Sequence, residues 1–190
     1  LIYIKSQLNF KVREDLTILK DSQLESIFVE ILTSNETNYI IGCIYRHPSM
    51  CPDEFTGDYL NPLLEKLSLT KKNVILMGDF KFDLSKTNPS KQLSNFLESM
   101  VSNSLFPYIT KPTRITTHSE TVIDNIFMNF YSPNAISGNL TVSISDHLPQ
   151  FVIIPSEHKT TKGQKKFRRC FKYFKDDKFL HDLTNIKWDD

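Results

Sequence analysis

The sequence predicts an α+β layered sandwich, two sheets of mostly antiparallel strands with helices outside. Three observations lead there. Short apolar runs bounded by turn residues recur along most of the chain, as strands do. Only two stretches before residue 150 carry helical spacing, and each is set between strands. Hydrophobic residues make up 39% and aromatic residues 12% of 190 residues, enough to build the core of one domain with a tail.

The elements follow in order. Residues 1–5 and 8–13 read as strands, then 25–32 and 39–45, with Asn35-Glu36-Thr37 supplying the turn of a hairpin. Arg46-His47-Pro48 closes that hairpin with a loop. Asp53 is the expected N-cap of a helix that puts Phe55, Tyr59, Leu60, Leu63, Leu64 and Leu67 on one face. Pro62 lies inside this pattern and predicts a kink or a split. The apolar run 73–77 is a buried strand. Pro89 stands just ahead of a second helix, from about Ser90 to Val101, with Leu93, Phe96, Leu97, Met100 and Val101 at helical spacing. Strands are expected near 105–109, 113–116, 121–128, 140–144 and 150–154. Pro155 and the Lys/Thr/Gly/Gln stretch after it mark a boundary. Residues 1–155 therefore form the domain. Residues 156–190 form a basic linker and a weak helix around Phe174, Phe179, Leu180, Leu183 and Trp188.

Bulk properties exclude several classes. No run reaches the roughly 20 apolar residues that span a bilayer, so no membrane partner is expected. Cys43, Cys51 and Cys170 cannot all pair within the chain and lack Cys-x-x-Cys spacing. They predict free thiols in an intracellular compartment, nuclear or cytoplasmic. The chain opens on Leu1, which reads as a fragment. A net charge of +1 points to no partner by itself. The segment 159–175 does: it holds eight Lys and Arg and no acid, interleaved with Phe167, Phe171, Tyr173 and Phe174. Such a mixture suits contact with DNA, or with RNA, by charge and stacking. A solvated linker is the plainer reading.

Two apolar runs stop at carboxylates. Asn73 to Met77 ends in Gly78-Asp79, and Leu140 to Ile144 ends in Ser145-Asp146-His147. Gly78 permits a bend that aims Asp79 into a cleft, where it is either a metal or water ligand or an ordinary turn cap. Asp124 is flanked by apolar residues within a strand, so it either orients a histidine or sits on an exposed edge. His147 has an unperturbed pKa near 6.5 and suits proton transfer. Carboxylates with a histidine are what phosphodiester hydrolysis requires: a cation site, an acid or base, and a positioned water. Arg114 either contacts a backbone phosphate or is a solvated strand arginine.

Five segments together resemble the endonuclease/exonuclease/phosphatase superfamily. They are Tyr45-Arg46-His47-Pro48, Gly78-Asp79-Phe80-Lys81-Phe82-Asp83-Leu84, Lys111-Pro112-Thr113-Arg114-Ile115-Thr116, Thr121-Val122-Ile123-Asp124-Asn125-Ile126-Phe127 and Ser145-Asp146-His147-Leu148-Pro149. Within it, the spacing is most similar to the endonuclease domain of non-LTR, jockey-like retrotransposons. The tail from Tyr173 resembles the linker toward a reverse transcriptase in the same parent chain.

The resemblance implies a four-layer α/β sandwich, Mg²⁺ or Mn²⁺, and DNA nicking that leaves a 3′-hydroxyl. It implies that Asp79 orients the attacking water, Asp146 is the metal carboxylate, His147 contacts the scissile phosphate, Asp124 holds His147, and Tyr45 bonds the phosphate. Two departures stand out. The family's upstream Asn and metal-binding Glu have no counterpart, so the sandwich is expected to lack its first strands; Glu14, Glu25 and Glu30 are poor substitutes. Lys81 stands where the family has Asn, and it either grips phosphate or pairs with Asp79. The expectation is weak or absent nicking by this chain, with a non-catalytic remnant that at most binds nucleic acid as the alternative. Missing strands also predict an uncovered apolar surface and a tendency to aggregate.

Overall fold

The computed structural model describes residues 1–33, 38–142, 144–155 and 174–186. In the unit Leu1–Pro155 the main sheet has seven strands. They are β1 (Asn9–Val12), β2 (Leu19–Lys20), β3 (Leu24–Leu32), β4 (Tyr39–Arg46), β5 (Asn73–Asp79), β6 (Phe106–Pro107) and, after a separate two-stranded pair, β9 (Asp124–Met128). Their order is β1-β3-β4-β5-β9-β6, with β2 also pairing β3. The pair β4 and β5 is parallel; the other pairs are antiparallel. A parallel pair needs a long crossover. Residues 47–72 supply it with α1 (Pro52–Glu54), a π-helical segment (Phe55–Leu60) and α2 (Asn61–Leu69).

One sheet face carries the main core. Leu24, Phe28, Ile40, Ile44, Val74, Leu76 and Phe127 meet Leu60, Leu63, Leu64 and Leu67 from the crossover, and Leu93, Phe96 and Met100 from α3 (Lys91–Ser102). Each such side chain contributes about 1.5–3 kcal/mol on burial. Phe96 stacks on Phe82 at 4.4 Å and Phe80 meets Phe127 edge-on at 5.4 Å. Ser90 caps α3, its hydroxyl accepting from the Leu93 amide at 3.2 Å.

The opposite face has a smaller core of Ile75, Ile109, Ile126 and Met128, packed against Val152 and Ile154. Val152 belongs to the ribbon of β10 (Ile136–Asn139) and β11 (Gln150–Ile153). The pair β7 (Arg114–Ile115) and β8 (Glu120–Thr121) stands separately. The α+β sandwich read from the sequence is the fold, its second sheet represented among the described residues by the β10–β11 ribbon. On the β1 edge Phe10 and Val12 remain exposed.

Several elements differ from expectation. Residues 1–5 form no strand; Leu1 and Tyr3 are exposed, and Ile2 and Ile4 only partly buried. The strand expected at 140–144 lies instead at Ile136–Asn139, paired antiparallel to β11. Asp53 is inside the first helical turn rather than its N-cap; Cys51 is the cap and Pro52 opens the helix. Pro62 neither ends nor splits the helical run. A proline lacks an amide hydrogen and its ring crowds the carbonyl four residues back, here Asp58. The widened π turn just before it absorbs both defects, with the Asn61 amide bonding Thr56 O.

The turn Asn35-Glu36-Thr37 lies outside the described residues, but the register Ile31↔Tyr39 makes β3 and β4 the expected hairpin. In the unit Ser156–Asp190, α4 (Asp176–Thr184) matches the weak helical pattern, and Phe174 packs on Phe179 at 5.3 Å. Trp188, Cys170 and the basic segment up to Tyr173 lie outside the described residues. Cys43 and Cys51 are free thiols. No described helix is long and apolar enough to cross a membrane.

Candidate active site

Three adjacent strands contribute to one row at one end of the sheet. Asp79 closes β5, directly opposite Tyr45 of β4 and Asp124 of β9. Residues paired in register project to the same sheet face. The row therefore sets a phenol and two carboxylates side by side. Gly78 makes this row possible. Its φ is +155°, and a Cβ there would lie 1.8 Å from the Ile44 carbonyl oxygen. Only glycine lets β4 come that close to β5 just before Asp79.

His147 reaches the row from another segment. The Leu148 amide donates to Thr113 O at 2.7 Å and the Ile115 amide to Asp146 O at 2.8 Å, which pins 146–148 against β7. His147 Nδ1 then donates to Asp124, 3.1 Å from Oδ1 and 3.0 Å from Oδ2. That bond leaves Nε2 as the nitrogen available to a ligand. Ligand atoms of Asp79, Asp124 and His147 all lie within 4.8 Å of one another. Burial pushes the Asp124 carboxyl above its ordinary pKa; a hydrogen bond from Thr113 works against the rise, and neighbouring Asp79 adds to it.

Lys81 joins this group. Its ammonium lies 2.5 Å from Asp79 Oδ2 and 5.8 Å from the centre of the Tyr45 ring. Its amide donates to Asp79 Oδ1 at 3.3 Å, so Asp79 also caps the turn that follows it. Asp79 is thus a turn cap, the plainer of its two sequence readings, and its carboxylate also lies in the cluster with Asp124 and His147.

Asp146 does not share the row. Adjacent residues in extended chain point to opposite sides, so with His147 turned toward Asp124 its neighbour turns away. Asp146 Oδ2 accepts from Arg114 Nε at 2.7 Å, and both side chains are nearly half exposed. That guanidinium holds the Asp146 carboxyl below its usual pKa. Arg114, a nearly half-exposed arginine of β7, is therefore ion-paired with Asp146.

Thr113 is a residue that site reasoning from the sequence passed over. It is fully buried, and its hydroxyl accepts from the amides of Ile123 and Asp124 at 3.2 and 3.1 Å. It links the entry to β9 with the segment that carries His147. The signal available was a hydroxyl residue between Pro112 and Arg114, a pattern too common to single out.

Two carboxylates and an imidazole are suitable donors for a divalent cation, Mn²⁺ accepting the nitrogen more readily than Mg²⁺. The donor set of this cluster fits such an ion, with Asp79 Oδ2 engaged by the Lys81 ammonium and Oδ1 by the Lys81 amide.

No protein-family profile and no curated protein matches the chain. Solved structures do. The endonuclease domain of TRAS1, a telomere-specific non-LTR retrotransposon, is similar at 16% identity with a TM-score of 0.60, covering 80% of this chain and 71% of its own. An endonuclease/exonuclease/phosphatase family protein from Leptotrichia buccalis is similar at 15% identity and a TM-score of 0.51, covering 81% of this chain and 62% of its own. A beta toxin from Staphylococcus aureus is similar at 10% identity and a TM-score of 0.50, covering 68% and 57%. Likeness at such identities is a likeness of fold: the chain has the fold of the endonuclease/exonuclease/phosphatase proteins.

Proposed function

We propose that the chain is a phosphodiester hydrolase that nicks DNA, the endonuclease of a non-LTR retroelement that also encodes a reverse transcriptase. The observation that carries this reading is the convergence of Asp79, Asp124 and His147 from three separate segments. Residues brought together across long stretches of chain, two of them carboxylates in a partly buried row, have a purpose that turn capping does not supply.

In this reading His147 Nε2 meets a non-bridging oxygen of the scissile phosphate or passes a proton there, while Asp124 fixes the ring through Nδ1. Asp79 orients the attacking water and takes its proton. The Tyr45 hydroxyl and the Lys81 ammonium donate to phosphate oxygens. Water attacks phosphorus, the bond to the 3′ oxygen breaks, and that oxygen takes a proton from solvent water to leave as a 3′-hydroxyl. Mg²⁺ or Mn²⁺, when bound, neutralises phosphate charge, and Asp79 and Asp124 would hold it. Asp146 contributes by fixing Arg114 at the rim, where the guanidinium meets the DNA backbone. The segment 159–175 adds non-specific affinity for DNA or RNA.

One observation favours a second reading, a remnant that binds nucleic acid without cutting it. Lys81 holds Asp79 in an ion pair, and a carboxylate so engaged orients water poorly. The two readings separate in a supercoiled-plasmid assay with Mg²⁺ or Mn²⁺. Slow nicking that falls about 100-fold or more in His147→Ala supports the hydrolase. No nicking by the wild type, with DNA retained in a binding assay, supports the remnant.

A further inference from the structure

Arg46 is buried, yet among the described residues no carboxylate lies within ion-pair distance of it. Its three nitrogens donate to backbone carbonyls instead: Nε to Phe80 O at 2.7 Å, Nη1 to Met50 O at 2.8 Å and Nη2 to Lys81 O at 3.0 Å. The guanidinium carbon lies 4.7 Å from the centre of the Phe82 ring and 5.8 Å from that of Phe55. A buried charge is costly unless something compensates it. Here three carbonyl dipoles and two π faces do so.

What these bonds hold is specific. Phe80 and Lys81 follow Asp79 directly, and Met50 lies in the loop after Tyr45. Lys81 has φ +56°, a left-handed conformation that a lysine rarely adopts unless its surroundings hold it there. The Arg46 bonds to Phe80 O and Lys81 O, the carbonyls on either side of the Lys81 Cα, are part of what holds it. Only a planar fork with donors on three nitrogens reaches three carbonyls at once; an ammonium does not have that geometry.

We propose that Arg46 is the positioning residue of the site: it locks the turn after β5 to the loop after β4, and so aims Asp79 and Lys81 at the place where His147 and Tyr45 converge. Arg46 itself touches no substrate. The inference rests on the hydrolase reading for its kinetic consequence and on geometry alone for its structural one.

The test uses the full chain with Arg46→Met, which keeps a side chain between the rings but no donors, Arg46→Lys, and Leu64→Ala, a core truncation in α2. Amide hydrogen exchange is measured well below the melting temperature. For Arg46→Met the amides of Phe80, Lys81 and Met50 should exchange at least about 10-fold faster relative to those of Ile44 and Leu76, with Arg46→Lys intermediate and Leu64→Ala without a local effect. In the nicking assay, kcat for Arg46→Met should fall about 10-fold or more at unchanged KM, and Arg46→Lys should restore part of it. Even acceleration of exchange across the sheet, as in Leu64→Ala, or an unchanged kcat in an active wild type, overturns the proposal. A wild type that does not nick defeats the hydrolase reading alone, and exchange then decides the role of Arg46.

Discussion

Lys81 occupies the left-handed backbone region and spends its ammonium on Asp79. Both side chains are largely buried, so the pair is screened less than a surface ion pair. A divalent cation seeking the same carboxylate must displace that ammonium. Asparagine tolerates the left-handed backbone better than lysine and carries no charge. Lys81→Asn should therefore raise Mn²⁺ affinity about 10-fold, read by electron paramagnetic resonance titration; equal affinity for both proteins would refute competition at Asp79. At this scale much was legible in advance. Asp79, Asp124 and His147 were each singled out from apolar runs that stop at or surround a polar group. The Asp146 pairing with Arg114 was not, because which of two adjacent side chains turns inward is set by how 146–148 hydrogen-bonds to Thr113 and Ile115, a long-range contact. Arg46 was visible only as part of a loop, since burial without a carboxylate leaves no trace in spacing.

Elements with strong periodicity were read correctly. The run 73–77 and the α3 pattern emerged within two residues of their places because one face of each is buried continuously. Where the local signal was weak, tertiary pairing decided. Leu140 to Ile144 looks strand-like by composition, yet it is Ile136–Asn139 that pairs with β11, and Ile144 is left exposed. The proline in the crossover is accommodated in a different way: the π segment beside it is a solution that propensity rules do not anticipate. The site depends on element ends more than on element lengths. Tyr45 lies one residue before the end of β4, Asp79 ends β5 and Asp124 begins β9, and their shared register places three side chains in one row.

Across the whole molecule, charge is organised at both ends of the sheet. At the end away from Asp79, Glu30 is buried and pairs with Arg13 at 3.0 Å, Lys11 at 3.3 Å and Lys72. Burial works to raise its pKa, but Lys72, Asn38, Lys11 and Arg13 outweigh it and hold the carboxyl down to about 2 from an ordinary 4.5. A carboxyl lowered in the folded state stabilises at pH values above its unfolded pKa, and that stability is lost as pH falls toward the folded one. Glu30 thus contributes on the order of 3 kcal/mol above pH 4.5, lost between about 4.5 and 2. Urea melts of Glu30→Gln should show a protein weaker than wild type at pH 7, with the gap closing toward pH 2; a gap independent of pH would contradict the linkage.

At the other end of the sheet the claim is catalytic, and a double-mutant cycle on plasmid nicking tests it most directly. If Asp124 acts mainly through His147, Asp124→Asn and His147→Ala each remove most of the wild-type rate, and the double variant loses far less than the product of the two single losses. Wild-type rates in all three variants, or losses that simply multiply, would contradict the account.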